Sequence, residues 1–379
     1  MVTWEQRKLG TAIKIIKDKN KNQHSYRAFS ISNIKGFIAQ DEQFGKDNTY
    51  SKTDKSTNYI VKPGMFAYNP ARINVGSIAY QNQTEPVLVS SLYEIFQTNS
   101  KIDDSFLMNW FKTSLFNRQI KRLEEGGVRQ YFFIDKMKET EIKLPSISEQ
   151  NQISKLLQLV NKNLDLQQRK LKELQQVKQT LSQFLLNGNT HTRPTLRLNG
   201  FEDIWKENKL KDIAKISMGQ SPSSNNYNKK GNGKILIQGN ADIDNGGIRP
   251  RVWTTEITKL ANKNDILLTV RAPVGELAIT NREVVIGRGI AAIKGNKFIY
   301  NLLVQKNKEH FWDRISSGST FKSISSNDIK QLKVYIPSEK EETLIASVLE
   351  TIKNKIDFQN ERINVINKLK KYLLTNLFI

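Results

Sequence analysis

The sequence predicts an α+β protein with two tandem, pseudo-two-fold-related α/β domains, joined by two long helices that form an antiparallel coiled coil. Three observations support this fold class. The chain repeats itself once, and short Ile- and Val-rich segments alternate with glycine and asparagine in the mixed part of each copy. Each copy then ends in a long segment with the apolar spacing of a helix.

The repeat is visible in three pairs of segments. WEQRKL (4–9) matches WKENKL (205–210), NVGSIAY (74–80) matches PVGELAI (273–279), and residues 122–150 align with residues 314–342. The repeat divides the chain into five segments: a first domain (1–145), a first helix (146–187), a linker (188–200), a second domain (201–336) and a second helix (337–379). Residues 193–204 have no counterpart before Trp4, so we expect the first copy to lack a short N-terminal arm.

Within the domains, local patterns predict strands and helices. KILIQGNADI (234–243), DILLTV (265–270) and ELAIT (276–280) are short, rich in Ile and Val and bounded by turn residues, which is typical of strands. Residues 105–123 have helical apolar spacing.

The two long helices open with the same signal. Ser146 and Ser338 each follow a proline and precede a glutamate by three positions, Glu149 and Glu341, which predicts a capping box. Each helix has about 40 residues, or about 60 Å at 1.5 Å per residue. A 3–4 spacing predicts a coiled-coil seam through both helices. Its positions include Leu157, Leu164, Gln167, Leu171, Leu174 and Lys178 on the first helix, and Leu349, Ile356, Gln359, Ile363, Ile366 and Lys370 on the second.

The polar seam positions favour an antiparallel pairing. A parallel pairing in register would place Lys178 on Lys370 and bury two like charges. An antiparallel pairing would place Gln167 beside Lys370 and Lys178 beside Gln359, where an amide oxygen accepts from an ammonium. The seam would span about 42 Å, comparable to the roughly 34–36 Å between half-sites one duplex turn apart. The alternative is that each helix packs on its own domain.

Composition indicates a polyanionic partner. The chain has 59 Lys and Arg against 37 Asp and Glu, a formal net charge of +22, and most of the excess lies in residues 1–145 and 188–337. Nucleic acid fits this charge better than a membrane, because no apolar run is long enough to span a bilayer. We therefore expect no membrane partner and a cytoplasmic location. The chain has no cysteine, which excludes disulfides, cysteine-ligated zinc and thiol nucleophiles.

Basic residues in polar loops are the candidates for DNA binding. Arginine reads guanine through two hydrogen bonds, and lysine and hydroxyl side chains hold phosphates. The loop SPSSNNYNKKGNGK (221–234) is suited to a mobile element that reaches a groove. The candidate residues are Arg72, Arg129, Gln130, Ser221, Lys229, Lys230, Arg249, Arg251, Arg271, Ser319, Thr320 and Lys322. By contrast, we expect Trp4, Trp205 and Trp253 to pack in the core or at domain edges.

The motifs of the common enzyme classes are missing from the sequence. The three histidines are far apart and lack metal-ligand spacing, and KKGNGK is not a phosphate-binding P-loop. Asn69-Pro70-Ala71-Arg72 matches the Asn-Pro-Pro-aromatic motif of amino-methyltransferases only in part, so we interpret it as a turn. The residues favour a non-catalytic chain with no metal or cofactor of its own. The alternatives are a standalone DNA methyltransferase or nuclease, and a coiled-coil adaptor that binds nucleic acid.

The order of these elements resembles the specificity subunit of type I restriction–modification systems. The resemblance covers essentially the whole chain: a Trp-x-x-x-Lys-Leu opening, a variable domain, a glycine-containing element and a long capped helix, all repeated. KLPSISEQNQISKLL (143–157) and YIPSEKEETLIASVL (335–349) are its most specific parts. The glycine-containing element is SGSTFKSIS (317–325) in the second copy and EGGVRQYFF (125–133) in the first.

The resemblance implies a division of labour. Two target-recognition domains would each read one half of an asymmetric bipartite site in double-stranded DNA, and the helices would set the spacing between the halves. Two modification subunits would methylate adenine N6 with S-adenosylmethionine, and restriction subunits would use ATP and Mg to move and cut DNA. Those cofactors would bind the partner subunits and not this chain.

Overall fold

The computed structural model describes residues 4–44, 55–123, 131–186, 193–316 and 322–378. The chain forms two compact units, Met1–Gln168 with Glu361–Ile379, and Arg169–Asn360. Each unit therefore contains one mixed domain and a part of each long helix.

In its described residues, the first unit begins with ten short strands and four short helices. In chain order they are β1 Glu5–Lys8, β2 Ile13–Ile16, β3 Phe29–Ser32, β4 Gly36–Ala39, α1 Gln40–Phe44, β5 Tyr59–Val61, β6 Phe66–Tyr68, β7 Ile78–Tyr80, β8 Val87–Val89, β9 Glu94–Thr98, α2 Asp104–Trp110, α3 Ser114–Leu123, α4 Ile134–Glu139 and β10 Glu141–Leu144. The first long helix follows as α5, Ile147–Leu185.

The described part of the second domain has thirteen strands and four short helices before the last long helix. They are β11 Lys206–Lys209, α6 Leu210–Ile213, β12 Lys215–Met218, β13 Tyr227–Asn228, β14 Lys234–Ile237, β15 Ile243–Asp244, β16 Gly247–Ile248, β17 Val252–Thr254, β18 Leu260–Ala261, β19 Ile266–Thr269, β20 Leu277–Ile279, β21 Val284–Ile286, β22 Ile290–Lys294, α7 Lys297–Lys308, α8 Phe311–Ile315, α9 Ser326–Lys330 and β23 Lys333–Ile336. The second long helix is α10, Glu339–Asn376.

The sheets of the two domains repeat the same topology. In the first domain, β1 pairs with β10, and a four-stranded sheet has the order β2-β9-β6-β7. In the second domain, β11 pairs with β23, and the corresponding sheet has the order β12-β22-β19-β20. The second domain adds a five-stranded sheet, β13-β17-β14-β21-β18. The strands expected in 234–243, 265–270 and 276–280 are confirmed as β14, β19 and β20.

The helix spacing of residues 105–123 is confirmed, although the segment forms two helices, α2 and α3. The Thr113 hydroxyl explains the break, because it donates to Trp110 O at 2.7 Å and accepts from Phe116 N at 3.3 Å. It thereby caps the start of the next helix. Such a side chain competes with the helical backbone for the same groups.

The antiparallel arrangement of α5 and α10 is confirmed within each unit. In the first unit, Leu373 and Leu377 near the end of α10 pack on a core that includes Ile153 and Leu157 near the start of α5. In the second unit, the relation is reversed. Leu181 and Leu185 near the end of α5 belong to one cluster with Ile345 and Leu349 near the start of α10.

The seam positions are the protected positions of both helices. All twelve seam residues named from the sequence are buried or half-buried, whereas their neighbours one position on are mostly exposed. Lys178 is half-buried, and burial followed by repulsion from Lys308 and Lys353 lowers its pKa. Burial and then repulsion from Lys370 likewise lower the pKa of Lys112. The glutamine–lysine layers remain predictions.

The helix caps use only part of the predicted box. Ser146 Oγ accepts from Glu149 N at 3.3 Å, and Ser338 Oγ accepts from Glu341 N at 3.5 Å. The glutamate carboxylates are engaged by residues distant in sequence. Glu149 accepts from Trp4 Nε1 at 3.2 Å, and Glu341 binds Arg197.

Candidate nucleic-acid interface

In the second unit, the ends of β12 and β19 and the start of β22 lie side by side, along the edge of the sheet β12-β22-β19-β20 that is formed by strand ends. β19 ends opposite the start of β22, with Thr269 paired to Ile290. The backbone pairing continues one residue beyond, because Val270 N donates to Gly289 O at 2.9 Å. Gly219, which follows β12, donates to Ile290 O at 2.8 Å. Residues that follow β12 and β19 and precede β22 are thereby held side by side.

A fourth segment joins this edge, namely the described end of the glycine-containing element at residues 322–325. Ala272 N donates to Lys322 O at 3.1 Å, and Ile324 N donates to Val270 O at 3.1 Å. Arg271 itself forms an isolated antiparallel bridge with Ser323. The predicted residues Arg271 and Lys322, which are 51 positions apart in the sequence, are therefore neighbours along the backbone.

Ser221 is also placed at this edge. Its hydroxyl oxygen accepts from Arg288 N at 3.2 Å, so Ser221 holds the turn before β22. We call Ser221, Arg271, Arg288 and Lys322 the basic edge. Arg288 was missed by the sequence reasoning. Its sequence signal is the run Gly287-Arg288-Gly289, which places one arginine between two residues that have no side chain.

Glycines near the basic edge allow neighbouring backbone segments to approach more closely than any residue with a Cβ would permit. A Cβ on Gly219 would lie 2.1 Å from Gly287 O, and a Cβ on Gly289 would lie 2.2 Å from Gln238 O. Both distances are far below van der Waals contact, so any side chain would push the strands apart. The packing of these glycines fixes the backbone that carries Arg288.

Lys322 already has a partner in its own domain. Its ammonium lies 3.2 Å from Asp313 Oδ1, and both side chains are about half-exposed. Hydrogen bonds from His310 and then Lys322 hold the pKa of Asp313 below its usual range. Because an exposed pair of this kind is weak, Lys322 can still turn toward a phosphate.

A second group of candidates lies around Asp242. Arg249 N donates to Asp242 O at 2.7 Å, and Arg251 Nη1 lies 3.8 Å from Asp242 Oδ1. The carboxylate also accepts from Gln238 N at 2.8 Å, and Gln238 Nε2 donates to Tyr227 Oη at 3.1 Å. The side chains of Arg249 and Arg251 are exposed, whereas the Asp242 that orders them is buried.

The loop 221–234 is more structured than the sequence indicated. Two of its residues form β13, and Asn228 Oδ1 accepts from Lys230 N at 3.1 Å and from Asn232 N at 3.0 Å. This turn exposes Lys229 and Lys230 together. The predicted mobile loop thus contains a short strand, β13, paired with β17, and an ordered turn that presents two lysines.

In the first unit, Arg72 is exposed at the end of a turn. Arg72 N donates to Asn69 O at 3.0 Å, and Ala71 N donates to Asn69 Oδ1 at 3.0 Å, which confirms the turn interpretation of this tetrapeptide. Phe132 N donates to Pro70 O at 3.0 Å. This bond matches the one from Ile324 to Val270 in the second unit. The candidates Arg129, Gln130, Ser319 and Thr320 lie outside the described residues.

The tryptophans pack as expected. Trp205 is buried in the second core and lies 5.7 Å from the Phe298 ring. Trp4 is half-buried against Phe106, and Trp253 packs on a smaller cluster.

In the described ranges, no three His, Asp or Glu side chains are grouped as a metal site would need, and no helix has the length and apolar character to cross a membrane.

Both copies of the repeat match the same protein family. The family model of the type I restriction modification DNA specificity domain matches residues 1–176 and 202–368. The putative type I restriction enzyme MjaX specificity subunit of Methanocaldococcus jannaschii is 25% identical over 400 residues, covering 99% of this chain and 92% of that protein. The type I restriction enzyme MjaIX specificity subunit of the same organism is 26% identical over 190 residues, covering 46% and 44%.

Solved structures share the fold. A chain from a structure on complex assembly and conformational transition of the type I R-M system aligns with a TM-score of 0.62 at 21% identity, covering 98% of this chain and 96% of that one. The S subunit of the type I restriction–modification system from M. genitalium aligns with a TM-score of 0.60 at 14% identity, covering 100% and 96%. Since the family model matches both copies and most of the chain, the protein belongs to the type I restriction modification DNA specificity domain family.

Proposed function

We propose that this chain, a DNA specificity subunit of the type I restriction–modification class, reads an asymmetric bipartite site in duplex DNA with one domain on each half. The observation that carries the proposal is the duplicated junction. In each unit, a residue near the end of the glycine-containing element pairs with the backbone beside an exposed arginine: Phe132 with Pro70 near Arg72, and Ile324 with Val270 near Arg271.

Charge supports DNA as the ligand. The formal net charge is +22, and most of the excess lies in the mixed domains, since the long helices carry only a small part of it. Phosphate contacts from lysine and hydroxyl groups position a protein on DNA, while arginine at base edges supplies sequence information. The basic edge contains both kinds of group within one stretch of sheet.

The proposed partners follow from the class. Two modification subunits methylate adenine N6 with S-adenosylmethionine, and restriction subunits use ATP and Mg. This chain contributes recognition and assembly but no catalytic group, and it acts in the cytoplasm with no membrane partner. The two long helices set the number of unspecified base pairs between the half-sites.

Binding and turnover assays on purified protein test this proposal. The chain with its modification subunits is titrated with labelled duplex DNA at several salt concentrations, and the chain alone is incubated with labelled S-adenosylmethionine. We expect affinity to fall steeply with salt, since binding to phosphates releases counterions, and we expect no methyl transfer by the chain alone. Methyl transfer without partners would instead identify a standalone methyltransferase. A flat salt dependence would instead favour a coiled-coil adaptor that binds RNA or protein and not duplex DNA.

A further inference from the structure

The turn before β22 is the most tightly fixed exposed segment of the basic edge. Gly287 N donates to Ile237 O at 2.8 Å, Ile290 N donates to Gly287 O at 3.0 Å, and Arg288 N donates to Ser221 Oγ at 3.2 Å. Gly287 and Gly289 on either side are buried, whereas Arg288 between them is exposed. The backbone is thus held at every residue while one long side chain extends to solvent.

The Arg288 side chain is exposed to solvent. Among the residues that the structure describes, none forms a hydrogen bond or ion pair with it, although its backbone amide is bonded. Arg251, by comparison, lies near Asp242, and Arg197 is bound to Glu341. An arginine on a rigid backbone with a free planar fork is organised in advance for two parallel hydrogen bonds.

The first unit has the same turn with a different residue at its tip. Tyr93 N donates to Ser90 O at 3.0 Å before β9, as Ile290 N donates to Gly287 O before β22. β9 and β22 occupy the same place in their sheets. Counting from these bonds, Ser91 corresponds to Arg288, and both side chains are exposed. The fold therefore repeats the turn that precedes this strand and changes the side chain at its tip.

We propose that Arg288 reads a guanine in the half-site bound by the second domain, and that Ser91 occupies the equivalent reading position in the first domain. This inference rests on the proposed function. Guanine presents O6 and N7 as two acceptors in the major groove, and arginine matches them with two donors. A serine hydroxyl at the same position offers one short contact and imposes a different base preference.

The test selects bound sequences from a random duplex library with the full chain assembled with its modification subunits. Wild type is compared with Arg288→Lys, which keeps the charge but loses the planar fork. Arg282→Lys is the matched control. Arg282 is an exposed arginine that follows β20. The last residue of β20, Ile279, pairs with Ile266 at the start of β19, whereas the basic edge lies beyond Thr269 at the end of β19. Arg282 is therefore at the opposite end of the strands from the basic edge.

We expect wild type to select a two-part motif. Arg288→Lys should reduce the preference for guanine at one position of one half by roughly 5- to 150-fold, the range for one bidentate contact. The other half and the Arg282→Lys motif should be unchanged. Ser91→Arg should alter the preference only in the opposite half.

Each failure has its own meaning. If wild type selects a two-part motif and Arg288→Lys selects the same motif with the same guanine preference, the role of Arg288 is wrong while the proposed function stands. If Arg288→Lys weakens all sequences equally, Arg288 is a phosphate contact, and the reading role is again wrong. If wild type selects no two-part motif, the proposed function itself fails.

Discussion

The ion pair between Arg197 and Glu341 ties the segment before β11 to the first turn of α10. Arg197 Nε lies 2.9 Å from one carboxylate oxygen and Nη2 lies 2.8 Å from the other, which is the paired geometry of a strong Arg–carboxylate contact. The Glu341 side chain is 1% exposed and the Arg197 side chain 15% exposed. Arg197 Nη2 also donates to Asp203 O at 2.7 Å. Removing the arginine would leave a buried carboxylate without its counter-charge.

We therefore expect Arg197→Ala to destabilise the second unit by about 3–5 kcal/mol, the usual cost of breaking a buried pair by removing one partner. At about 2–4 °C per kcal/mol for a unit of this size, its melting temperature should fall by roughly 6–20 °C. Differential scanning calorimetry of the whole chain measures this change as a shift of the melting temperature relative to wild type.

Two further variants test whether the loss of stability comes from the unpaired buried carboxylate. Arg197→Met combined with Glu341→Leu should recover most of the lost stability, since apolar replacement of a buried pair is often neutral. Arg27→Ala removes an exposed arginine that binds Asp41 and should lower the melting temperature much less. Equal melting of Arg197→Ala and Arg27→Ala, or a double variant less stable than Arg197→Ala alone, would contradict a stabilising role of this ion pair.

Three other variants test the edge, the seam and the helix start. Lys322→Ala should weaken binding to all duplexes alike and lower the salt slope by about 1 in a titration series; a changed sequence preference would contradict its positioning role. Gln167→Lys, on the half-buried seam, should place two lysines in one layer and melt below Gln168→Lys at the exposed neighbouring position; equal melting would show the register to be wrong. Burial raises the pKa of Glu342 above the usual value, and a hydrogen bond from Asn296 offsets this in part. The charge therefore destabilises the fold above the folded-state pKa, and this cost disappears as pH falls through it. Glu342→Gln should raise the melting temperature at pH 7 and have little effect near pH 4; an equal effect at both would contradict the assignment.

The long helices and their pairing follow from local sequence. Apolar residues at 3–4 spacing define the seam without reference to the rest of the fold. Lys178 and Lys370 disfavour the parallel alternative because like charges would share a buried layer. This is why the orientation could be predicted, and the clusters at Leu185 with Leu349 and at Leu157 with Leu377 confirm it.

Other features depend on contacts that local patterns do not contain. Glu149 and Glu341 match a capping box in sequence, but their carboxylates are engaged by Trp4 and Arg197, 145 and 144 positions away. The break between α2 and α3 depends on one hydroxyl, that of Thr113. Helical periodicity gives no sign of such competition.

The candidate site was predicted in composition but not in arrangement. Arg271, Ser221 and Lys322 were named because of their residue types, whereas their convergence depends on which strands pair. Arg288 was missed because its position beside Arg271 requires the pairing of Val270 with Gly289. Without that pairing, Gly287-Arg288-Gly289 resembles any glycine-bearing turn.

The central claim is that this chain gives a restriction–modification complex its two-part DNA target. The most direct measurement is methylation-sensitive long-read sequencing of genomic DNA from cells with and without the gene. Loss of the gene should abolish adenine N6 methylation at one asymmetric motif made of two specified halves with unspecified bases between them. An unchanged methylation pattern, or the loss of a single continuous motif, would contradict it.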